Sequence, residues 1–148
     1  MRPHTSGKSL GRNSYKWADT FYEAGFDLVM ESDSHVMKRT LPMKPFPEGG
    51  EDFKAAPNDP NATVYLGEGC WGAPLRRADV AYSWTVGTAA FNGFDWLHVT
   101  PKAIFDKTVK VENVASVGEI DPKRPYDDPK GLQLWAPKGD DEVLRIPA

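Results

Sequence analysis

At 148 residues the chain is sized for one domain and is long enough to bury a core. Its 18 basic and 21 acidic residues leave a formal charge of −3 with no basic stripe, which argues against nucleic acid as a partner. No apolar run approaches the roughly 20 residues that span a bilayer, and the single cysteine, Cys70, excludes an internal disulfide framework while leaving the compartment open.

Met1 to Arg12 is polar, carries Arg2, His4, Lys8 and Arg12, and has no periodicity, so it reads as a loop. No apolar h-region follows Met1, and no export signal is read. Asn13 or Ser14 can cap a helix in which Ala18, Phe21 and Tyr22 recur at helical spacing beside Trp17, and Gly25 stands at the C′ position. The spacing predicts a helix over Ser14 to Ala24. Phe26 to Glu31 then reads as a buried strand, so that helix and strand make an αβ unit.

The strand runs into Ser32-Asp33-Ser34-His35-Val36-Met37-Lys38-Arg39, which places one acid, one histidine and two cations at the carboxyl edge of a sheet. Open α/β sheets usually bind ligands and metals at that edge. Proline, glycine and charge dominate Leu41 to Asn61, which reads as an ordered surface excursion or a mobile flap. Ala62 to Leu66 is β-branched and aromatic and ends in the glycine-rich turn Gly67 to Gly72. Phe91-Asn92-Gly93-Phe94 holds a pair favoured in two-residue hairpins, with a bulge or the start of a strand as alternatives. Trp96 to Thr100, the break Pro101-Lys102 and Ala103 to Val111 form an antiparallel pair. After Ile120 the chain is rich in proline and charge but contains Gly131 to Trp135 and Val143 to Ile146, short apolar pieces suited to dock on the body. There is no internal repeat.

Several constellations have two readings on spacing alone. Asp33 and His35 lie two positions apart and can point into one cavity as oxygen and imidazole ligands for zinc, iron or manganese; equally, His35 can hydrogen-bond within a turn while Asp33 caps backbone. Lys38 and Arg39 are either solvated cations or anion binders beside a metal. Gly67 to Gly72 lacks a Walker pattern and reads as a tight turn. His4 is a ligand, a group behind a ligand, or a surface residue, and His98 is structural within an alternating strand. Cys70 has no histidine at a motif spacing, which disfavours a nucleophile role.

Taken in order, the helix Ser14 to Ala24, the strand ending at Glu31, the segment Ser32 to Arg39, the strand Val64-Tyr65-Leu66 with its glycine turn, and the pair Phe91 to Val111 resemble the carboxyl-terminal half of calcineurin-like metallophosphoesterases. Within that superfamily the likeness is to the purple acid phosphatase group, and it covers about Met1 to Glu119. There the corresponding segment reads Gly-His-x-His, then an aromatic, a variable residue and Arg, and both histidines bind a dinuclear metal centre.

The resemblance implies an α+β fold, a partial four-layer αββα sandwich, with residues 1–120 as the carboxyl-terminal part of the domain and 121–148 as a tail docked on it. It makes His35 a metal ligand, puts Asp33 where the first histidine would stand, and matches Arg39 to the trailing arginine, a group behind the ligands. Arg2, His4 and Lys38 become candidate substrate-side groups, and Met1 to His4 resembles the stretch just after a further ligand. The implied cofactors are iron, zinc or manganese ions, and the implied partner is a phosphate ester hydrolysed by metal-activated water.

The family's Asp-x-His, Gly-Asp-x-x-Asp and Gly-Asn-His motifs do not occur in this sequence. The expectation is therefore a fragment that is inactive alone, or one that assembles with a second chain supplying the missing half. The alternatives are a non-catalytic binding or structural module, and a carbohydrate- or peptide-binding β domain suggested by Trp71, Trp84 and Trp96.

Overall fold

The computed structural model describes residues 3–7, 16–46, 52–67 and 69–147. Their fold is α+β, with strands in several sheets and one α-helix, α1 (Lys16–Glu23). The helix ends as its sequence requires. Gly25 takes a left-handed φ of 68°, its N–H donates to the Tyr22 carbonyl, and the Phe26 N–H donates to the Phe21 carbonyl at 2.9 Å. This is a Schellman closure, completed by the Phe21 and Phe26 rings 5.2 Å apart.

The first sheet has the order β1 (Leu28–Glu31), β5 (Val64–Gly67), β2 (Met37–Thr40), β6 (Thr85–Ala89). β5 runs parallel to β1 and antiparallel to β2. β1 is the outer strand of this sheet and is half-buried, with Met30 exposed, so the expectation of a buried strand is corrected. The buried strands are its neighbours: every residue of β2 and β5 is buried, including Lys38 and Arg39.

The second sheet is built on the hairpin of β7 (Gly93–Thr100) and β8 (Ala103–Lys110). Pro101 and Lys102 form its two-residue turn, and Thr100 Oγ1 accepts the Ala103 N–H at 3.1 Å. The far side of β8 carries β9 (Gln133–Leu134) and β10 (Val143–Pro147), both antiparallel to it. These are the two apolar pieces read near residues 131–146. Asn92-Gly93 starts β7 and does not turn a hairpin, because β6 and β7 belong to different sheets. Glycine is required there, since a Cβ would collide with the Val109 carbonyl.

The expected excursion or flap between Leu41 and Asn61 is instead a ribbon of β3 (Met43–Phe46) and β4 (Asp52–Ala55). A two-stranded ribbon is marginal by itself. Here Met43 and Phe53 anchor it in a core with Ala18, Tyr65 and Trp84, against which Phe21 packs from α1. Pro45 is tolerated because it lies beyond Met43, which alone bridges β3 to Thr63 on its other side.

Val64 and Leu66 from β5 pack against Ile146 from β10, with Ile104 and Leu144 alongside, and this cluster joins the two sheets face to face. Trp135 closes one end with Met37, Phe91 and the buried Cys70.

Candidate functional site

The parallel strands β1 and β5 end side by side at Glu31 and Gly67. The acid-histidine loop follows β1 and the glycine turn follows β5, so two features that are far apart in sequence form one substructure. Its backbone is unusual: Asp33 and His35 have φ of 89° and 58°, and Gly67 and Gly69 have 91° and 83°. Non-glycine residues held in the left-handed region are costly and cluster at sites and switches. The glycines are needed for close approach, because a Cβ on Gly69 would stand 2.9 Å from the Asp33 nitrogen.

The segment after the glycine turn is fastened to this loop. Arg76 donates from its guanidinium to the Asp33 carbonyl at 3.0 Å and from its backbone N–H to the His35 carbonyl at 3.2 Å. His35 Nδ1 lies 2.8 Å from the Pro74 carbonyl. A carbonyl only accepts, so Nδ1 carries the proton in this bond and a neutral His35 keeps a bare lone pair on Nε2.

That is how histidine ligands are oriented by the groups behind them. The donor set nevertheless falls short of a dinuclear centre: among the described residues no group of three or more His, Cys, Asp and Glu converges. Asp33 and His35 together offer two donors, which does not fit a bridged pair of ions.

The other sequence candidates lie elsewhere. Lys38 is sealed from solvent, and its ammonium pairs with Glu31. Arg39, on the opposite face of β2, donates to Asp140 Oδ2 at 2.9 Å and to the Asp141 carbonyl at 2.6 Å. Its guanidinium lies 5.8 Å from the centre of the Trp135 ring. His4 is fully buried; its Nε2 is 2.8 Å from Thr85 Oγ1, and its ring stands edge-on to Tyr82 and Trp84, 5.3 Å from each. Arg2 lies outside the described residues. The structure thus brings Asp33 and His35 into one loop and puts Lys38, Arg39 and His4 into buried contacts.

Two features escaped the sequence reading. The first is a cleft of about 350 Å³ on the outer face of β7 and β8, lined by Trp96, His98, Phe105, Lys107, Tyr126 and Val143. The register sets Trp96 opposite Lys107 and His98 opposite Phe105. Tyr126 stacks on His98 with centroids 4.7 Å apart and planes 4° from parallel, and Lys107 Nζ is 2.6 Å from Asp128 Oδ1. The sequence signal was the alternation Trp96, His98 and Phe105, Lys107, which shares one face once the two-residue turn fixes the register. Of the three tryptophans singled out, Trp71 is exposed, Trp84 is fully buried, and Trp96 lines this cleft.

The second lies between the sheets. Asp106 is fully buried, and neither of its carboxylate oxygens has a hydrogen-bond partner among the described residues. Asp95 accepts from Thr108 Oγ1 at 2.8 Å on the same face. Burial pushes the Asp106 carboxyl up to about 7, the neighbouring Asp95 charge adds to this, and Arg39 opposes it. Burial raises Asp95 as well, against its Thr108 bond and Arg39.

No helix among the described residues is long and apolar enough to cross a membrane. No protein-family model matches the sequence, and no curated protein or solved structure matches it either.

Proposed function

We propose that the protein is a non-catalytic binding module whose ligand sits in the cleft on the outer face of β7 and β8. One observation carries this reading. The cleft has the volume of a small-ligand site and combines aromatic walls with a few polar groups, and the His98 imidazole, stacked on Tyr126, makes no side-chain hydrogen bond among the described residues. By contrast, Lys38, Arg39 and His4 serve packed ion pairs and ring contacts. A fragment screen followed by backbone amide shifts of the labelled chain tests it. The expected shifts cluster on residues 94–98, 105–107 and 126–128; binders that leave all of these unmoved overturn it.

A second reading keeps the family resemblance. Here the chain is the carboxyl-terminal half of a partial αββα sandwich from a metal-dependent phosphoesterase, completed by a second chain. Its support is the His35 Nδ1 to Pro74 bond and the left-handed backbone on either side of Ser34. Bound to His35, with Asp33 beside it, an iron, zinc or manganese ion would supply an activated water for phosphate-ester cleavage. Metal content of the purified chain, compared with that of His35→Ala, decides: stoichiometric metal lost in the variant supports this reading, and equal content in both rejects it.

A further inference from the structure

We infer that the cleft on β7 and β8 takes the ring of an uncharged saccharide, an inference that rests on the binding-module reading and gives it a ligand class. Four side chains on the sheet form the floor of the cleft. Trp96 faces Lys107 and His98 faces Phe105 across the two strands, so the aromatic residues occupy one diagonal and the nitrogen-bearing groups the other. Residues directly opposite in an antiparallel pair stand about 5 Å apart, so this square is about the span of one six-membered ring with its substituents.

A ligand laid on it meets apolar surface beneath its face and hydrogen-bonding groups at opposite points of its rim. A pyranose has that distribution, with C–H groups on its faces and hydroxyls around the edge. A phenyl ring has no polar atoms at its rim, and a flat base, although polar around its rim, presents π-faces in place of the C–H groups of a pyranose.

The charge balance points the same way. The Lys107 ammonium is neutralised by Asp128 at 2.6 Å, and both side chains remain partly exposed. A donor and an acceptor held together in this way match a hydroxyl, which accepts from one and donates to the other. An anion would have to displace Asp128 from Lys107. Tyr126 adds a further aromatic surface beside the His98 corner, exposed yet held by its parallel stack on His98.

Saturation-transfer NMR on the full chain tests this with cellotetraose, chitotetraose, maltotetraose and mannotetraose as probes and adenosine as the planar competitor class. The expected result is saturable binding of at least one tetrasaccharide, weakened about tenfold or more by Trp96→Ala and by His98→Ala. Trp71→Ala, exposed and outside the cleft lining, is expected to bind as the parent does. Adenosine binding that depends on Trp96, with no saccharide bound, overturns the ligand class and leaves the binding module standing. No Trp96-dependent binding of any probe overturns both. Should circular dichroism show Trp96→Ala unfolded, the surface variants His98→Ala and Lys107→Met decide by the same criterion.

Discussion

The Lys38 ammonium reaches the Glu31 carboxylate across Gly67, the residue that stands between them in the sheet. Glu31 pairs in register with Gly67 on one side, and Lys38 pairs with it on the other. The missing side chain on the middle strand is what lets a buried cation from β2 meet an acid at the sheet edge. Cations of this kind are hardly ever fully buried without such a partner.

Removing either partner takes from the other an opposite charge that stabilises its ionised form inside the fold. Lys38→Met is expected to lower stability by about 3 kcal/mol, and adding Glu31→Leu should recover at least about half of that loss. Urea denaturation of the singles and the double measures the coupling. Simple additivity of the two substitutions would mean that the ion pair contributes nothing.

Gly67 is expected to be the least replaceable glycine of its turn. Alanine there meets both a φ of 91° and the Glu31 carbonyl at 2.6 Å. At Gly72 it meets a φ of 69° and open space. Gly72→Ala should cost about 1 kcal/mol, and Gly67→Ala about 2–3 kcal/mol more. Thermal unfolding of the two variants ranks them, and equal losses would show that the backbone beside Glu31 yields freely.

Arg39 holds residues 140–142 to β2 by a fork of contacts that an ammonium cannot reproduce. Arg39→Lys is expected to destabilise by about 2 kcal/mol. The loss should be local, with amide exchange quickening first in β10 and β9. Uniform quickening across both sheets would show that Arg39 supports the whole interface and does not merely fasten this segment.

Asp106 sets a pH dependence whose sign follows from its shift. In the fold its pKa is about 7, against an ordinary value of 3.8, so the native state binds the extra proton between those limits. Stability is therefore fully present below about pH 4 as far as this group is concerned, and is lost as the pH rises through 7. The shift corresponds to at most about 4 kcal/mol, with Asp95 and Arg39 as the charged groups facing it. Asp106→Asn is expected to flatten this fall, as read from denaturation midpoints between pH 4 and 8. An unchanged slope in the variant would assign the dependence to other groups.

The parts legible in sequence were those governed by neighbours along the chain. Gly25 announced the helix end because a Schellman closure needs only six consecutive residues. The β7–β8 pair followed from alternation on both sides of Pro101-Lys102. The β3–β4 ribbon was not legible, since Pro42, Pro45 and Pro57 read as breakers while the burial of Met43 and Phe53 depends on Tyr65 and Trp84. The site reading had the same limit. The adjacency of Asp33 and His35 could be read, but the bond from His35 to Pro74 spans 39 positions and the one from His4 to Thr85 spans 81. Lys38 and Arg39, adjacent in sequence, face opposite sides of a strand buried on both faces. No local pattern distinguishes such a pair from two cations on a surface.

Arg39 lies 101 positions before Asp140, and this separation governs the order in which the molecule can assemble. While the chain is being synthesised, β2 can emerge and pair long before its guanidinium has a partner. Until β10 emerges, β8 has an open strand edge from Ala103 to Lys107 and the patch formed by Val64 and Leu66 lacks Ile146. Contacts so distant in sequence require loop closure before they return any stability, which makes this step slow. The half-made protein is therefore the form most exposed to strand-to-strand misassembly, and arrival of residues 140–147 ends that exposure.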